Sequence, residues 1–210
     1  MPNFPVDLRE YLGGCAQIEQ QMFYLGEGRT VQNQTAGGEI LNAGGAARLW
    51  RGSVLLYPQS YHRARAIHAR LHMLAGAGAC FWIGDAMHRG APLTATVRAF
   101  NTTLRNIVTL QGLPAGAVIS DGDYLSFDYS GRRALHQVVG GGTANASGIT
   151  GNIEVVPPIR AMSAAGWAVT VGPGKCLAKM NPGSLKIGAS GRVATTGASF
   201  EWTQTLSEVP

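Results

Sequence analysis

Two histidines in the sequence have the spacing of metal ligands on one face of a helix. His68 and His72 stand four residues apart, and His62 precedes them. A helical zinc site of the HExxH type also needs a glutamate between the histidines and a further ligand, and the sequence shows neither here. Three arginines share the segment instead, namely Arg63, Arg65 and Arg70. These residues favour a solvated or interface face over a metal site.

Three aspartates and a run of glycines could also do chemistry. Asp121, Asp123 and Asp128 resemble a carboxylate cluster, but a calcium loop needs a regular ligand series that ends in glutamate. The sequence Asp121-Gly122-Asp123 is more typical of a turn before a strand. The run Gly140–Gly142 lacks the following GK[ST] sequence and the helix start of a phosphate-binding loop. We therefore expect no metal and no cofactor at these places.

No nucleophile of the sequence can be paired with a base. The GxSxG pattern of a serine hydrolase is absent, and Cys15, Cys80 and Cys176 lie far apart without a CxxC pair. An odd number of distant cysteines suggests neither a disulfide framework nor a zinc site, so we expect reduced thiols. The sequence therefore predicts a protein that is not an enzyme.

The composition describes a folded chain with many glycines. The chain has 210 residues, of which 29 are glycine, and its hydrophobic content of 45% is enough to bury a core in one large or two small β domains. The net charge of +5 comes from basic residues that are spread out, and no helix-turn-helix, RNP or zinc-finger pattern occurs. We expect no sequence-specific binding of nucleic acid.

Neither a membrane anchor nor a signal peptide is expected. No apolar run approaches the roughly 18 residues that span a bilayer. Residues 1–11 include Asp7, Arg9 and Glu10, where a signal peptide would be apolar. The sequence therefore predicts synthesis in the cytosol.

The elements that must position these residues are one helix and many strands. Apolar residues at helical spacing predict a helix from Ser60 to Ala75 with a buried face formed by Ala64, Ile67, Leu71 and Leu74. A buried strand is predicted at 49–57, and turns at 121–122 and 130–131 bracket a hairpin. Further segments rich in β-branched or aromatic residues predict strands at 79–83, 93–100, 104–110, 152–156, 168–171, 176–180, 185–187 and 199–206.

The order of several short segments is similar to that of a known family. The segments are the Trp-Arg-Gly strand at 49–57, CFWIGD at 80–85, VISDGDYLSF at 118–127, RALHQV at 133–138, GITGNIEVVPPIR at 148–160, CLAKM at 176–180 and SFEW at 199–202. From about Leu49 onward the chain resembles the tail proteins of long-tailed, siphovirus-type bacteriophages, most closely the distal tail proteins of the baseplate. Residues 1–46 carry no matching motif.

The resemblance implies a mainly β fold in which a tail-tube-like β-sandwich with one flanking α-helix joins a small, barrel-like second β domain. We divide the chain into an extended N-terminal arm or loop (1–46), a ring domain (47–112 with 174–210) and a small, inserted β domain (113–173). The expected assembly is a hexameric ring at the distal end of a phage tail, in the virion. Its expected partners are the tail tube protein, the tail hub or baseplate proteins and host-recognition proteins, with Arg63, Arg65 and Arg70 as candidate interface residues.

Three alternatives remain open on the sequence. A tail tube or tube-terminator subunit belongs to the same class, but such a subunit needs only the ring domain. A carbohydrate-binding β module would need exposed aromatic residues, for which Trp50, Trp82, Trp167 and Trp202 are candidates. A peptidoglycan hydrolase would need a catalytic constellation that the sequence does not show.

Overall fold

The computed structural model describes residues 4–14, 18–34, 40–44, 47–86, 88, 90–103, 105–129, 132–159, 165–189, 191 and 194–207. These residues are mainly β and contain two α-helices, one six-stranded sheet and one closed barrel. This confirms the predicted fold class of a mainly β chain with a flanking helix and a small barrel.

The six-stranded sheet gathers strands from both ends of the chain. In spatial order its strands are β1 (Val6–Asp7), β7 (Phe81–Gly84), β16 (Lys175–Met180), β18 (Ser199–Gln204), β5 (Trp50–Leu56) and β2 (Ile18–Leu25). The pair β1 and β7 is parallel, and the other neighbours are antiparallel. Strands β16 and β18 follow the barrel strands along the chain but pair in this sheet. An inserted second domain requires such a return of the chain to the first sheet.

Six strands close into the barrel. In order around the barrel they are β11 (Tyr124–Tyr129), β12 (Arg132–Gly140), β14 (Ile153–Val156), β9 (Ile107–Gln111), β8 (Leu93–Phe100) and β15 (Ala168–Gly172). Because β15 pairs with both β8 and β11, the sheet has no open edge. Buried aliphatic residues such as Val108, Leu125 and Ile153 fill the interior.

Three short pairs complete the strands. They are β3 (Arg29–Gln34) with β4 (Ile40–Gly44), β6 (Gln59–Ser60) with β17 (Ala194–Thr195), and β10 (Val118–Ile119) with β13 (Gly142–Thr143).

The longer helix covers the sheet with the face that the sequence predicts. Helix α2 spans Tyr61–Leu74, and Ala64, Ile67, Leu71 and Leu74 are all buried. The last three of these pack in one core with Trp50, Phe81 and Phe200 and other buried residues of the sheet. The helix-on-sheet prediction is confirmed. Asp7 caps the N-terminus of the shorter helix, α1 (Leu8–Tyr11), because its carboxylate accepts hydrogen bonds from the backbone N–H groups of Arg9 and Glu10 at 3.0 and 3.3 Å.

Strand β11 joins the barrel to the sheet. Tyr124, Leu125, Ser126 and Phe127 are all buried, although successive strand residues point to opposite faces. Leu125 and Phe127 lie in the barrel core, whereas Tyr124 belongs to the core of the sheet. The barrel wall therefore serves as one layer of both hydrophobic cores.

The predicted boundaries of two segments are wrong. The boundary at residue 112 placed β8 and β9 in the first domain, but both strands belong to the barrel, which takes its strands from 93–172. The arm predicted for 1–46 includes β1, α1 and β2, which belong to the first sheet and its core, with Leu8 and Leu12 buried. Barrel closure and edge pairing are long-range contacts, so local composition did not reveal them. Cys15 and the predicted 130–131 turn lie outside the described residues.

Candidate functional site

Strand β2 lies at one edge of the six-stranded sheet. One side of this strand pairs with β5 from Ile18 to Leu25, and no strand of the described residues pairs with its other side. The strand carries no lysine and no proline, which are common means of protecting an edge, and its single charged residue is Glu19. Met22 and Tyr24 are 52% and 50% exposed. An eight-residue strand of this kind is suited to pairing with another chain.

An aromatic cluster holds β2 in place. The ring of Phe23 lies 5.2 Å from that of Trp50, 5.1 Å from that of Trp202 and 5.8 Å from that of Tyr124, measured between centroids. Gly52 faces Phe23 across the strand pair, and a side chain there would collide with the backbone carbonyl of Met22. The edge strand is thus held by its aromatic contacts and by a hydrogen bond from Gln21 Nε2 to the Gly84 carbonyl of β7 at 2.9 Å, and no strand of the described residues pairs with its other side.

The chain leaves β2 to form the hairpin of β3 and β4. These two strands form a sheet of their own, with Arg29 opposite Gly44 at its base, and they pair with no other strand of the described residues. The hairpin follows the open edge directly along the chain, so both features belong to one segment, residues 18–44.

Helix α2 places the three arginines predicted as interface residues on its exposed surface. Arg63, Arg65 and Arg70 are all exposed. Arg63 and Arg70 are seven residues apart and point in nearly the same direction, whereas Arg65 lies about 160° around the helix axis from Arg63. The structure therefore brings two of the three arginines to one flank and the third to the other.

The histidines on this helix are not gathered into a site. His62 and His72 are exposed and His68 is half-buried. Within the described part of the chain, no group of three or more His, Cys, Asp or Glu side chains could hold a metal ion. His68 and His72 both lie outside the buried face of α2, and this position explains their spacing without a metal site.

The three aspartates make local contacts. Asp121 accepts a hydrogen bond from the Gly141 backbone N–H at 2.7 Å, and Asp123 accepts one from the Ser120 backbone N–H at 2.8 Å. Asp128 forms a two-bond ion pair with Arg133 at 2.6 and 2.7 Å. Residues 121–122 form a turn, so the interpretation of the Asp-Gly-Asp sequence as a turn is confirmed.

A cleft with both polar and apolar lining residues lies where the sheet meets the barrel. Its volume is about 100 Å³, and it is lined by Asp7, Gln21, Asp85, His88, Lys175 and neighbouring residues. The Tyr124 hydroxyl donates to Asp85 at 2.9 Å, and His88 Nε2 lies 3.6 Å from Asp123 Oδ1. Burial, together with the Asp85 carboxylate, raises the pKa of Tyr124, which keeps the hydroxyl a donor. These groups connect the two parts of the fold.

The cysteines of the described residues are buried thiols. Cys80 and Cys176 are free and inaccessible. Burial raises the pKa of Cys176, and burial raises that of Cys80 in spite of the nearby Lys179. Because a thiolate is the reactive form, these environments do not activate either sulfur as a nucleophile.

The sequence did not point to the open edge of β2 or to the cleft. One signal was present for β2, because Gln21, Phe23 and Leu25 alternate with the exposed Met22 and Tyr24. The preceding polar residues and the flanking glycines obscured this alternation. The cleft had no sequence signal, since its residues come from four separate segments.

The comparisons with protein-family models and with curated proteins find no match. No protein-family model matches the chain, and no curated protein is significantly similar to it. Within the described residues, no helix is both long and apolar enough to cross a membrane.

Proposed function

We propose that this protein is a structural subunit of a bacteriophage tail, a distal tail protein whose copies form a ring between the tail tube and the tip hub. The observation that carries the proposal is the open edge of β2 with the hairpin that continues from it. A strand edge without protective residues is an aggregation hazard in a monomer. A closed ring removes this hazard because each copy covers the edge of its neighbour.

The shape of the two sheet edges fits a head-to-tail arrangement of copies. At the opposite edge stands β1, which is only two residues long and is followed directly by α1. The two edges therefore offer different surfaces, and the interface between copies would join one to the other. A contact of this kind forms a ring when the rotation between copies closes.

The closed barrel supports a distal tail protein over a tail tube or tube-terminator subunit. A tube subunit needs only the ring domain, whereas this chain adds a second hydrophobic core inside six barrel strands. In the proposed role, the barrel lies outside the ring and offers a surface for the hub or for host-recognition proteins.

The tryptophans do not favour a carbohydrate-binding module. Trp50 and Trp202 are fully buried in the core of the sheet. The guanidinium of Arg133 lies over the ring of Trp82 at 5.0 Å, and Trp167 packs against the barrel core. Trp50 and Trp202 therefore have no ring face for a sugar to stack on, and Trp82 and Trp167 are only partly exposed.

The test measures assembly with and without the hairpin. Because Arg29 and Gly44 are opposite each other in an antiparallel pair, residues 30–43 can be replaced by two glycines that join Arg29 to Gly44 in a short turn. Light scattering should give the full chain a mass that is a whole multiple of 22.1 kDa, and electron microscopy should show rings with a central hole. The shortened variant should stay folded and shift toward monomer.

Three outcomes would count against parts of the proposal. A full chain that is monomeric at every concentration contradicts the ring. Long tubes in place of single rings favour the tube subunit. Unchanged rings in the shortened variant move the contact between copies away from the hairpin. Deletion of residues 1–45 is not a suitable test, because it removes Leu8, Leu12 and β2 from the core.

A further inference from the structure

The exposed surface of α2 is basic and carries no acidic residue. Its residues Tyr61–Leu74 include three arginines and three histidines. Within the described residues, none of the three arginines has a carboxylate partner. Acidic residues three or four positions away on a helix can pair with such charges, and α2 contains none. This helix therefore presents guanidinium groups that are available to a second molecule.

Two of these arginines are already held in position by aromatic rings. Arg70 donates to the backbone carbonyl of Tyr11 at 2.8 Å and lies 5.9 Å from the centre of its ring. The Tyr11 hydroxyl in turn contacts Met73 Sδ at 3.6 Å. Arg65 lies 5.7 Å from the centre of the Tyr61 ring. Ordered side chains lose less conformational entropy on binding, so this arrangement favours association.

The same surface exposes large apolar groups. Tyr61 is 50% exposed and Met73 is 41% exposed, and both lie among the arginines. Arg, Tyr and Met are enriched in protein interfaces, whereas Lys, Glu and Asp are depleted there. The planar guanidinium of arginine also matches a carboxylate with two parallel hydrogen bonds. A phosphate backbone could satisfy the charges, but it offers nothing to cover Tyr61 and Met73.

We propose that the exposed surface of α2, with Tyr61 and Arg65 on one flank, Arg63 and Arg70 on the other, and Met73, binds an acidic segment of a partner protein that reaches both flanks. The segment must carry carboxylates for the arginines and apolar side chains for Tyr61 and Met73. This inference does not depend on ring formation, because the edge of β2 and the outer face of α2 are different surfaces.

The test measures binding of a fluorescently labelled peptide made of repeated Glu-Glu-Leu units to the full chain. The variant R63A/R65A removes two charges without touching the Arg70 contact to Tyr11. The control R51A/R98A removes two exposed arginines from β5 and β8. We expect R63A/R65A to weaken binding about tenfold or more, as the loss of charge-assisted hydrogen bonds implies, and the control to leave it nearly unchanged.

Three results would overturn the proposal. The first is that the peptide fails to bind the full chain. The second is that both double variants weaken binding equally, which would show attraction to net charge alone. The third is that duplex DNA binds more tightly than the peptide and loses its affinity in R63A/R65A, which would identify a nucleic-acid surface. Thermal unfolding of each variant checks that the variant is folded at the temperature of the binding measurement.

Discussion

The indole N–H of Trp50 donates a 2.8 Å hydrogen bond to the backbone carbonyl of Leu135. Trp50 lies on β5 of the sheet and Leu135 on β12 of the barrel, and both are buried. The bond therefore links one part of the fold to the other between buried residues. Leu135 also packs in the core of the sheet beside Tyr124, so the barrel wall and the sheet are held by shared apolar contacts as well as by this bond.

Replacing Trp50 with phenylalanine should lower the free energy of unfolding by about 1–3 kcal/mol beyond the loss of ring volume, because it leaves the buried carbonyl of Leu135 without its donor. The measurement is urea denaturation. Trp202→Phe is the matched control, since Trp202 is equally buried but its Nε1 has no hydrogen-bond partner within the described residues. Equal losses in the two variants would mean that the hydrogen bond adds no stability.

Replacing Leu71 with alanine should destabilise the protein by about 2–5 kcal/mol, because its fully buried side chain fills the space between α2 and the sheet. Urea denaturation measures the change in the free energy of unfolding. His72→Ala changes the next, exposed position of the same helix and should cost less than about 0.5 kcal/mol. A cost for Leu71→Ala as small as this would contradict packing of α2 on the sheet.

The sequence predicts those elements whose pattern is local. The buried face of α2 repeats every three or four residues, so four of its residues could be assigned to the core in advance. The strand β2 could not be assigned in this way, because its stability comes from pairing with β5 and from contacts of Phe23 with Trp50 and Trp202. The domain boundary failed for a similar reason, since only the pairing of β15 with β8 and β11 shows which strands form the barrel.

The candidate interface also combines features that the sequence predicts with features that depend on long-range contacts. Helical spacing alone places Arg63, Arg65 and Arg70 outside the buried face of α2. The sequence could not show that Arg70 is held by Tyr11, because these residues are 59 positions apart. It also could not show the open edge of β2, because edges are defined by the order of strands in the whole sheet.

Replacing Gly52 with alanine should detach β2 from the sheet. The new methyl group would collide with the backbone carbonyl of Met22 and would lie 2.9 Å from the Trp202 ring, and neither backbone nor buried indole can move freely. We expect a loss of about 1–3 kcal/mol in the free energy of unfolding. Hydrogen exchange of residues 18–25 should accelerate more than that of the barrel strands.

Gly151→Ala provides the control for this substitution, because no atom lies within 4 Å of the position of its new methyl group. It should leave both stability and exchange of β2 nearly unchanged. Unchanged hydrogen exchange of β2 in Gly52→Ala would contradict the prediction. It would mean that the close approach of β2 and β5 at this position does not require glycine.

Acidification should weaken the contact between Asp7 and Lys175, which ties the start of the chain to β16. Burial disfavours the charged form of Asp7, but the hydrogen bond from Lys175, the backbone N–H groups of Glu10 and Arg9, and the charge of Lys175 together hold the pKa of Asp7 below its ordinary value of 3.8. The folded protein therefore binds this proton less tightly than the unfolded chain. The resulting stability is complete above the ordinary pKa and is lost as the pH falls through 3.8 toward the lowered value.

Asp7→Asn isolates this charge, because asparagine also accepts hydrogen bonds at a helix start and so preserves the beginning of α1. Urea denaturation should show the native protein to be more stable than Asp7→Asn near neutral pH, and the difference should shrink on acidification to about pH 2. In a Lys175→Gln background, Asp7→Asn should have a smaller effect near neutral pH, since the main partner of the carboxylate is gone. A difference between Asp and Asn that is constant with pH, or unaffected by Lys175→Gln, would show that the ion pair does not contribute to folding.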